Sequence, residues 1–271
     1  MISITEQEYR SLSSYISANY GIVLGKEKKN LLVGRLYKTI ERLGLSSFAE
    51  YYNEILNDKS GELVNELIDK ITTNHTYFMR ESSHFEYLYN IALPEVTAKI
   101  PDRDLRIWCA ASSSGQEPYT LAMIVDEFLG NQKPLWDSKI LATDISREIL
   151  AKAQNGQYSN EELSSISKVW KNKYFTKNTN DTMTVKKSLK DEVIFRQFNL
   201  LTPQYPFKNK MHIIFCRNVL MYFSPETQEE IIRKLSSLLV PGGYLFIGKS
   251  ESLSTKLKDF QYMSPSVYKK K

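Results

Sequence analysis

The stretch IWCAASSSGQEPYTLAM, residues 107–123, combines a short apolar run, a loop of small residues and the start of an amphipathic helix. The loop turns at Gly115, and Pro118 suits a first helical turn because its missing N–H would have no partner there. Small side chains let backbone N–H groups approach a ligand closely, as in nucleotide-binding strand–loop–helix units. This loop has one glycine where a dinucleotide-binding loop has three, and it carries an acid, Glu117, where a phosphate would sit. Because an acidic loop repels pyrophosphate but attracts an ammonium group, the pattern favours S-adenosylmethionine (SAM) over NAD or ATP.

Outward from this stretch, short apolar runs alternate with helical patterns from about residue 104 onward. The alternation predicts an α/β fold with a Rossmann-like, doubly wound and mainly parallel sheet, which binds ligands at the carboxyl ends of its strands. Buried strands are predicted at 105–110, 139–143, 193–198, 213–216 and 244–248, and helices at 118–130, 146–153 and 225–239. The segment 158–192 interrupts this alternation of strands and helices. It predicts a small antiparallel β-subdomain, with strands at 173–176 and 183–185 and a turn at 178–181.

Residues 1–72 show only helical patterns, which predicts an N-terminal all-helical domain followed by the sheet domain at 73–271. Within the pattern at 26–43, one stripe is apolar and forms the expected core face. The adjacent face carries the basic residues Lys28, Arg35, Lys38 and Arg42. This basic face is either a solvated helix surface or a docking surface for an acidic helical partner.

The composition is that of an ordinary globular protein of 271 residues, with 42% hydrophobic and 25% charged residues. No apolar run approaches the roughly 20 residues that span a bilayer, and the start MISITEQEYR lacks the apolar segment of a secretory signal. Cys109 and Cys216 both lie in strand-like runs, so we expect reduced thiols and a cytoplasmic location. The net charge of +5 does not require a nucleic-acid partner, and the three histidines show no metal-ligand spacing.

Polar residues follow three of the predicted strands. Asp144 is placed to accept hydrogen bonds from ribose hydroxyls, or else to cap the next helix. Asn199 is placed to contact an adenine edge, or else is an ordinary turn residue. Arg217, Asn218 and Tyr222 reach the same edge and suit a site that positions a carboxylate, although Tyr222 also fits a core aromatic with one wet edge.

The connector TTNHTYFMRE, residues 72–81, joins the two predicted domains. Asn74, Thr76 and Arg80 would share one face of this connector if it is extended. The alternative interpretation of Arg80 is a surface ion-pair partner.

Taken together, these segments resemble the CheR family of chemotaxis-receptor glutamate methyltransferases. The matching segments are TTNHTYFMRESSHFEYL (72–88), IWCAASSSGQEPYTLAM (107–123), ATDIS (142–146), NLL (199–201), IIFCRNVLMYFSPETQ (213–228) and GGYLFIGKSESL (242–253). Each segment is weak alone, but six in the family order are specific, and the similarity covers essentially the whole chain.

The resemblance implies transfer of a methyl group from SAM to glutamate side chains on the cytoplasmic helical bundle of chemoreceptors, with S-adenosylhomocysteine (SAH) as the product and no metal. The implied cofactor contacts are Asn74, Thr76, Arg80, Glu117, Asp144, Asn199, Leu200, Arg217 and Asn218. Arg80 and Tyr222 match the family residues nearest the transferred methyl and the incoming glutamate. The basic face at 26–42 corresponds to the receptor-docking region, and we expect a monomer that meets the membrane only through the receptor.

The chain departs from the family pattern at Met79, Gln116 and Lys249, where a second aromatic, a second acid and a histidine are common. The insert near 176–183 looks shorter than in members that grip a receptor's C-terminal pentapeptide. This difference predicts docking that does not depend on such a tether.

Three other functions compete with receptor methylation. A nucleic-acid methyltransferase that modifies amino groups usually has an Asn/Asp-Pro-Pro-aromatic motif, and this chain has no Pro-Pro pair. A non-catalytic SAM sensor or adaptor would not need the full polar set from Asn74 to Tyr222. A small-molecule carboxyl methyltransferase would leave the basic face without a purpose.

Overall fold

The computed structural model describes residues 2–178, 181–253 and 258–271, and within them a large and a small β-sheet form. In chain order the strands are β1 (Ile107–Cys109), β2 (Ile140–Asp144), β3 (Gln157–Ser159), β4 (Phe175–Lys177), β5 (Thr182–Val185), β6 (Val193–Gln197), β7 (Met211–Cys216), β8 (Leu239–Ile247), β9 (Phe260–Ser264) and β10 (Val267–Lys270). The large sheet has the order β6–β2–β1–β7–β8–β10–β9, and the small one has the order β3–β5–β4.

The first five strands of the large sheet are parallel, and β10 and β9 add an antiparallel edge. Strand β1 is the middle one of the five parallel strands, and its Ile107 pairs with Ile140 on one side and Ile213 on the other. Every residue of β1 and β7 is buried, as expected for parallel strands covered on both faces. The chain reverses its winding direction around β1, so the segments that leave β1, β2 and β7 meet at one edge. That edge is the ligand-binding edge of an open α/β sheet.

Helices cover both faces of the large sheet and also form a separate N-terminal group. They are α1 (Glu6–Tyr20), α2 (Lys29–Arg42), α3 (Phe48–Asn57), α4 (Glu62–Ile71), α5 (Ser82–Tyr87), α6 (Leu93–Thr97), α7 (Gln116–Leu129), α8 (Arg147–Asn155), α9 (Lys168–Tyr174), α10 (Lys187–Lys190) and α11 (Pro225–Leu238). Helices α1–α4 enclose their own hydrophobic cluster around Leu12, Leu36 and Tyr51. In the described part of the chain, no helix combines the length and the apolar character needed to cross a membrane.

The helix starts follow local capping rules. Thr5 and Glu8 exchange hydrogen bonds as a capping box, with the Glu8 N–H donating to Thr5 Oγ1 at 3.2 Å and the Thr5 N–H to Glu8 Oε2 at 2.8 Å. Ser47 caps α3 through the Glu50 N–H, but the Glu50 carboxylate accepts from the preceding residue, Ser46, at 2.8 Å. The second pair therefore forms the cap of a capping box without its reciprocal bond.

The N-terminal helices pack against the carboxyl edge of the sheet. The Ser146 hydroxyl donates to Asp69 of α4 at 2.6 Å, and the Asn199 amide donates to the carbonyl of Asn19 in α1 at 2.9 Å. The Val23 N–H donates to the carbonyl of Tyr222 at 3.1 Å. These bonds hold α4, α1 and the segment after α1 against the edge where the sequence predicts a ligand.

The architecture confirms the predicted doubly wound sheet and small antiparallel sheet, with corrections in detail. The predicted strand at 173–176 is wrong in its first half, because α9 extends to Tyr174 and β4 begins only at Phe175. Ser167 caps α9 by accepting from the Trp170 N–H, a signal hidden in a polar segment. The predicted turn at 178–181 includes residues outside the described ones. The β9–β10 hairpin was not predicted, because its strands are partly exposed and lack the continuous apolar run of the parallel strands.

Candidate active site

A cavity opens at the carboxyl edge of the parallel strands, between the sheet and helices α1 and α2. It unites every predicted cofactor residue with Tyr222, although these residues come from five separate segments of the chain. The predicted residues in its lining are Asn74, Thr76, Arg80, Glu117, Asp144, Asn199, Leu200, Arg217, Asn218 and Tyr222. The carboxyl-edge rule therefore predicted where in the fold these residues come together.

Asp144 ends β2, and its side chain is fixed by the loop that follows β1. The residue is 8% exposed, and its two oxygens accept from the Ser113 N–H at 2.8 Å and the Ser146 N–H at 3.1 Å. Burial raises the pKa of Asp144, and the backbone donors oppose that rise. Ser146, not Asp144, caps α8, because its hydroxyl accepts from the Ile149 N–H. The carboxylate thus faces the cavity without serving as a helix cap.

Gly115 sets the path of the loop between β1 and α7. Its φ of 97° is one that other residues rarely adopt. A Cβ at this position would lie 2.7 Å from the Tyr158 hydroxyl, which donates to the Ser114 carbonyl. The single glycine therefore lets the small sheet pack directly on the loop.

Glu117 lies in the first turn of α7 and is paired with a buried arginine. Its side chain is 12% exposed, and Oε2 accepts from Nη1 of Arg217 at 2.8 Å. Its other oxygen accepts from the Cys109 thiol at 3.2 Å. Burial raises the pKa of Glu117, and the charge of Arg217 opposes this effect. The result is a carboxylate with limited access to solvent at the wall of the cavity.

Two acids that the sequence analysis did not single out organise the same edge. Glu81 accepts from Arg217 Nη2 at 3.0 Å and from the Asn218 amide at 3.2 Å. Glu251 accepts from the backbone N–H groups of Gly248 at 2.6 Å and Asn218 at 3.0 Å. Both acids lie within segments that carry the family resemblance, at 72–88 and 242–253. That membership was the available signal, since an isolated acid beside polar residues otherwise indicates a surface position.

The connector residues line the cavity mouth. The Arg80 guanidinium donates to the His75 carbonyl at 2.8 Å and lies 5.9 Å from the Tyr77 ring. Arg80 forms no ion pair with any residue that the structure describes, which disfavours its interpretation as a surface ion-pair partner. The Asn74 amide donates to the Thr72 hydroxyl at 3.2 Å, and the Asn74 carbonyl accepts from Ser113.

Asn199 and Tyr222 differ in how their polar groups are used. The Asn199 amide donates to Asn19 and accepts from the Leu201 N–H at 2.9 Å, so the side chain is engaged in shaping the loop. Tyr222 lies on a short 3-10 turn and is half-buried. Its hydroxyl has no hydrogen-bond partner among residues 2–178, 181–253 and 258–271. A free hydroxyl in the lining favours a binding role over the core-aromatic interpretation.

The basic face at 26–42, formed by α2 and the short turn before it, contains both bonded and free side chains. Lys28 and Arg35 line the cavity, and Arg35 donates to the carbonyls of Lys70, Ile71 and Thr72 at 2.8–3.2 Å, which caps the end of α4. Arg42 pairs with Glu66 at 2.5 Å. Lys38 is exposed and forms no ion pair in the described part of the chain. The basic stripe therefore runs from the cavity outward to solvent.

The lining has the chemistry of a site for a nucleoside that carries an amino-acid tail. Asp144 fits a pair of ribose hydroxyls, Glu117 fits an ammonium group, and Phe198 and Ile145 provide apolar walls for a flat base. Among the described residues, no three His, Cys, Asp or Glu side chains are grouped as they would be around a metal ion.

Comparison with known proteins identifies the N-terminal and C-terminal parts of the chain separately. The sequence model of the CheR methyltransferase all-alpha domain matches residues 7–72, and that of the CheR methyltransferase SAM binding domain matches residues 74–269. The chain is 40% identical to the chemotaxis protein methyltransferase of Borreliella burgdorferi, covering 99% of this chain and 96% of that protein. It is 36% identical to the chemotaxis protein methyltransferase of Escherichia coli, covering 98% of this chain and 92% of that protein.

Proposed function

Because this chain belongs to the CheR family of SAM-dependent chemotaxis methyltransferases, we propose that it forms methyl esters on glutamate side chains of methyl-accepting chemotaxis receptors. The observation that carries the proposal is the cavity that joins the cofactor residues to Tyr222 and continues into the basic face of α2. Such a site admits a cofactor from the sheet edge and a protein side chain from the mouth.

Within the proposed complex, Asp144 holds the ribose hydroxyls and Glu117 holds the ammonium group of SAM. The other proposed cofactor contacts are Asn74, Thr76, Arg80, Asn199, Leu200, Arg217 and Asn218. Because the Asn199 side chain is engaged with Asn19, its proposed contribution is the shape of the loop wall. The bound cofactor supplies an electrophilic methyl group on a positively charged sulfur.

The residues of the chain act on the reaction by positioning. A glutamate with a pKa of about 4.3 is already ionised at neutral pH, so no general base is required. Alignment of the reacting groups contributes roughly 7–11 kcal/mol to lowering such a barrier. The Tyr222 hydroxyl donates to the incoming carboxylate and orients it, while Arg80 adds positive charge at the mouth. Stronger stabilisation of the carboxylate would slow its attack.

Receptor docking is assigned to the N-terminal domain at 1–72, and methyl transfer to the domain at 73–271. Lys38 offers a free positive charge, and the solvent-facing end of the basic stripe suits an acidic helical surface. We propose that docking occurs on the cytoplasmic bundle of the receptor by a monomer, without a C-terminal tether.

The test uses radiolabelled SAM, purified protein and membranes with or without chemoreceptors, followed by alkali. A glutamate methyl ester releases volatile labelled methanol in base, whereas an N-methyl group stays attached. We expect base-labile label on the receptor band only. Receptor label that resists alkali, or no receptor label from protein that binds SAH, would contradict the proposal.

A further inference from the structure

Arg217 lies between two carboxylates on opposite sides of its guanidinium group. Nη1 donates to Glu117 at 2.8 Å, and Nη2 donates to Glu81 at 3.0 Å and to the Arg80 carbonyl at 2.6 Å. The arginine side chain is 1% exposed and stacks 5.3 Å from the Phe85 ring centre. A buried guanidinium with two carboxylate partners divides its charge between them.

We propose that Glu81 is a positioning residue that restrains Arg217 and so leaves Glu117 able to bind the ammonium group of SAM. The inference rests on the proposed contact between Glu117 and that ammonium group. Without Glu81, the whole charge of Arg217 would be compensated by Glu117, and the ammonium group would compete with it. With Glu81 present, the pair of acids carries one more negative charge than Arg217 neutralises, and a bound ammonium supplies the balance.

The backbone around Glu81 adopts an unusual conformation that directs this side chain toward Arg217 at the wall of the cavity. Glu81 adopts a left-handed conformation with φ of 58°, and Met79 adopts one with φ of 60°. Such conformations cost non-glycine residues about 1–2 kcal/mol each, so other contacts must maintain them. The Glu81 side chain is 14% exposed and also accepts from the Lys249 N–H at 3.2 Å.

Among the residues that the structure describes, Arg217 is the cation that pairs with Glu81 at this site, because the neighbouring basic side chains do not take its place. His84 Nδ1 lies 3.5 Å from Glu81, but burial, together with the charge of Arg217, lowers the pKa of His84 to about 4. His84 is therefore neutral at physiological pH. Lys249 contributes its backbone N–H to Glu81.

The test compares two ligands, SAH and 5′-methylthioadenosine, which lacks the amino-acid tail. Titration calorimetry of Glu81→Gln should show SAH affinity lowered about tenfold and methylthioadenosine affinity changed by less than about twofold, since only the tail depends on Glu117. Glutamine keeps the size of the side chain and one acceptor but removes the charge.

The pH dependence of SAH affinity provides a second readout. Glu117 must be ionised to bind an ammonium, so affinity falls as pH drops through the pKa of Glu117. Burial is the main cause that raises the pKa of Glu117, and the charge of Glu81 raises it further, whereas Arg217, the hydrogen bond from the Cys109 thiol and Arg80 lower it. Removing the Glu81 charge should therefore move the acid limb of SAH binding to lower pH. Glu81→Asp retains the charge and should leave the limb near its wild-type position.

Two further variants distinguish a wrong role for Glu81 from a wrong assignment of the ammonium contact to Glu117. Glu251→Gln weakens the same loop without touching Arg217, and it should lower affinity for both ligands equally with no shift of the acid limb. If Glu81→Gln also lowers the affinity for both ligands equally and does not shift the acid limb, Glu81 only supports the structure of the loop, and the inference is overturned. If Glu117→Gln retains the wild-type preference for SAH over methylthioadenosine, the ammonium contact itself is wrong. If Glu117→Gln loses that preference and Glu81→Gln binds like wild type, only the positioning role is wrong.

Discussion

Single side chains in the cavity differ in whether their polar atoms are free or already bonded. The Tyr222 hydroxyl has no partner in the described part of the chain, whereas both oxygens of Asp144 accept backbone N–H bonds. A free donor at the mouth suits a transient partner, and a fixed acceptor at the wall suits a bound cofactor. From this contrast we expect Tyr222 to contribute to turnover and Asp144 to contribute to cofactor affinity.

Tyr222→Phe should lower turnover on receptor by roughly 10–100-fold, because one hydrogen bond to a charged group contributes about 1.5–3 kcal/mol. SAH affinity should stay within about twofold of wild type, since the proposed contact of the hydroxyl is with the incoming glutamate and not with the cofactor. Initial-rate kinetics and calorimetry measure the two quantities. Tyr262→Phe, on the exposed edge strand β9, is a matched control that should change neither. Equal losses of turnover and SAH affinity would contradict the assignment.

Asp144→Ala should weaken SAH binding at least about tenfold, since it removes the acceptor for the ribose hydroxyls. It should also destabilise the protein by about 1–3 kcal/mol, because the N–H groups of Ser113 and Ser146 lose their acceptor. Calorimetric titration measures the affinity, and urea denaturation measures the free energy of unfolding. An unchanged SAH affinity would remove Asp144 from the ribose site.

Residue type and strand position predicted which side chains line the cavity, but they did not predict the hydrogen bonds that these side chains form. Asn199 was placed correctly, yet its amide binds the Asn19 carbonyl, and Arg35 caps α4. Glu81 and Glu251 were overlooked because nothing in their local sequence shows which backbone groups they approach. Hydrogen-bond partners of this kind are contributed by distant segments.

Elements were predictable to the extent that local periodicity and capping specify them. The stripe of Leu32, Leu36 and Ile40 is buried, so the 3.6-residue period oriented α2 correctly. The segment ahead of β4 is helical because Ser167 provides a cap, which the polar composition concealed. The hairpin of β9 and β10 depends on pairing with β8, and such pairing is a long-range choice.

Lys38→Glu on α2 should raise the KM for receptor by about fivefold at low ionic strength, and by less at high salt, because exposed charges are screened. Turnover at saturating receptor and SAH affinity should be unchanged. Lys59→Glu makes the same charge change in the same domain outside α2 and serves as the matched control. Similar effects of both variants, or no salt dependence, would exclude a docking role for this helix face.

The cavity joins the N-terminal helices to the sheet domain, since these helices form one of its walls. Tyr20, Ile22, Leu24 and Leu31 line it together with the residues of the sheet edge. Asp69 accepts from Ser146, the residue that caps α8 beside Asp144. We therefore expect cofactor binding to involve both parts of the chain.

SAH at about 100 times its dissociation constant should stabilise the folded state by about 2.7 kcal/mol. Hydrogen exchange measured by mass spectrometry should show added protection both in the sheet edge and in residues 20–35. Segments far from the cavity, such as α3, serve as the internal comparison for purely global effects. Protection confined to residues after 73 would show that the N-terminal helices do not form part of the binding unit.

Local information in the sequence determined the alternation of strands and helices, the separate helical start and the carboxyl-edge position of the candidate residues. Period, caps and strand ends are properties of neighbouring residues, so a single chain reveals them. Only the tertiary structure decided that Arg217 joins Glu117 to Glu81, and that α2 forms a wall of the cavity. Glu117 and Glu81 precede Arg217 by 100 and 136 positions, and packing, not periodicity, brings such residues into contact.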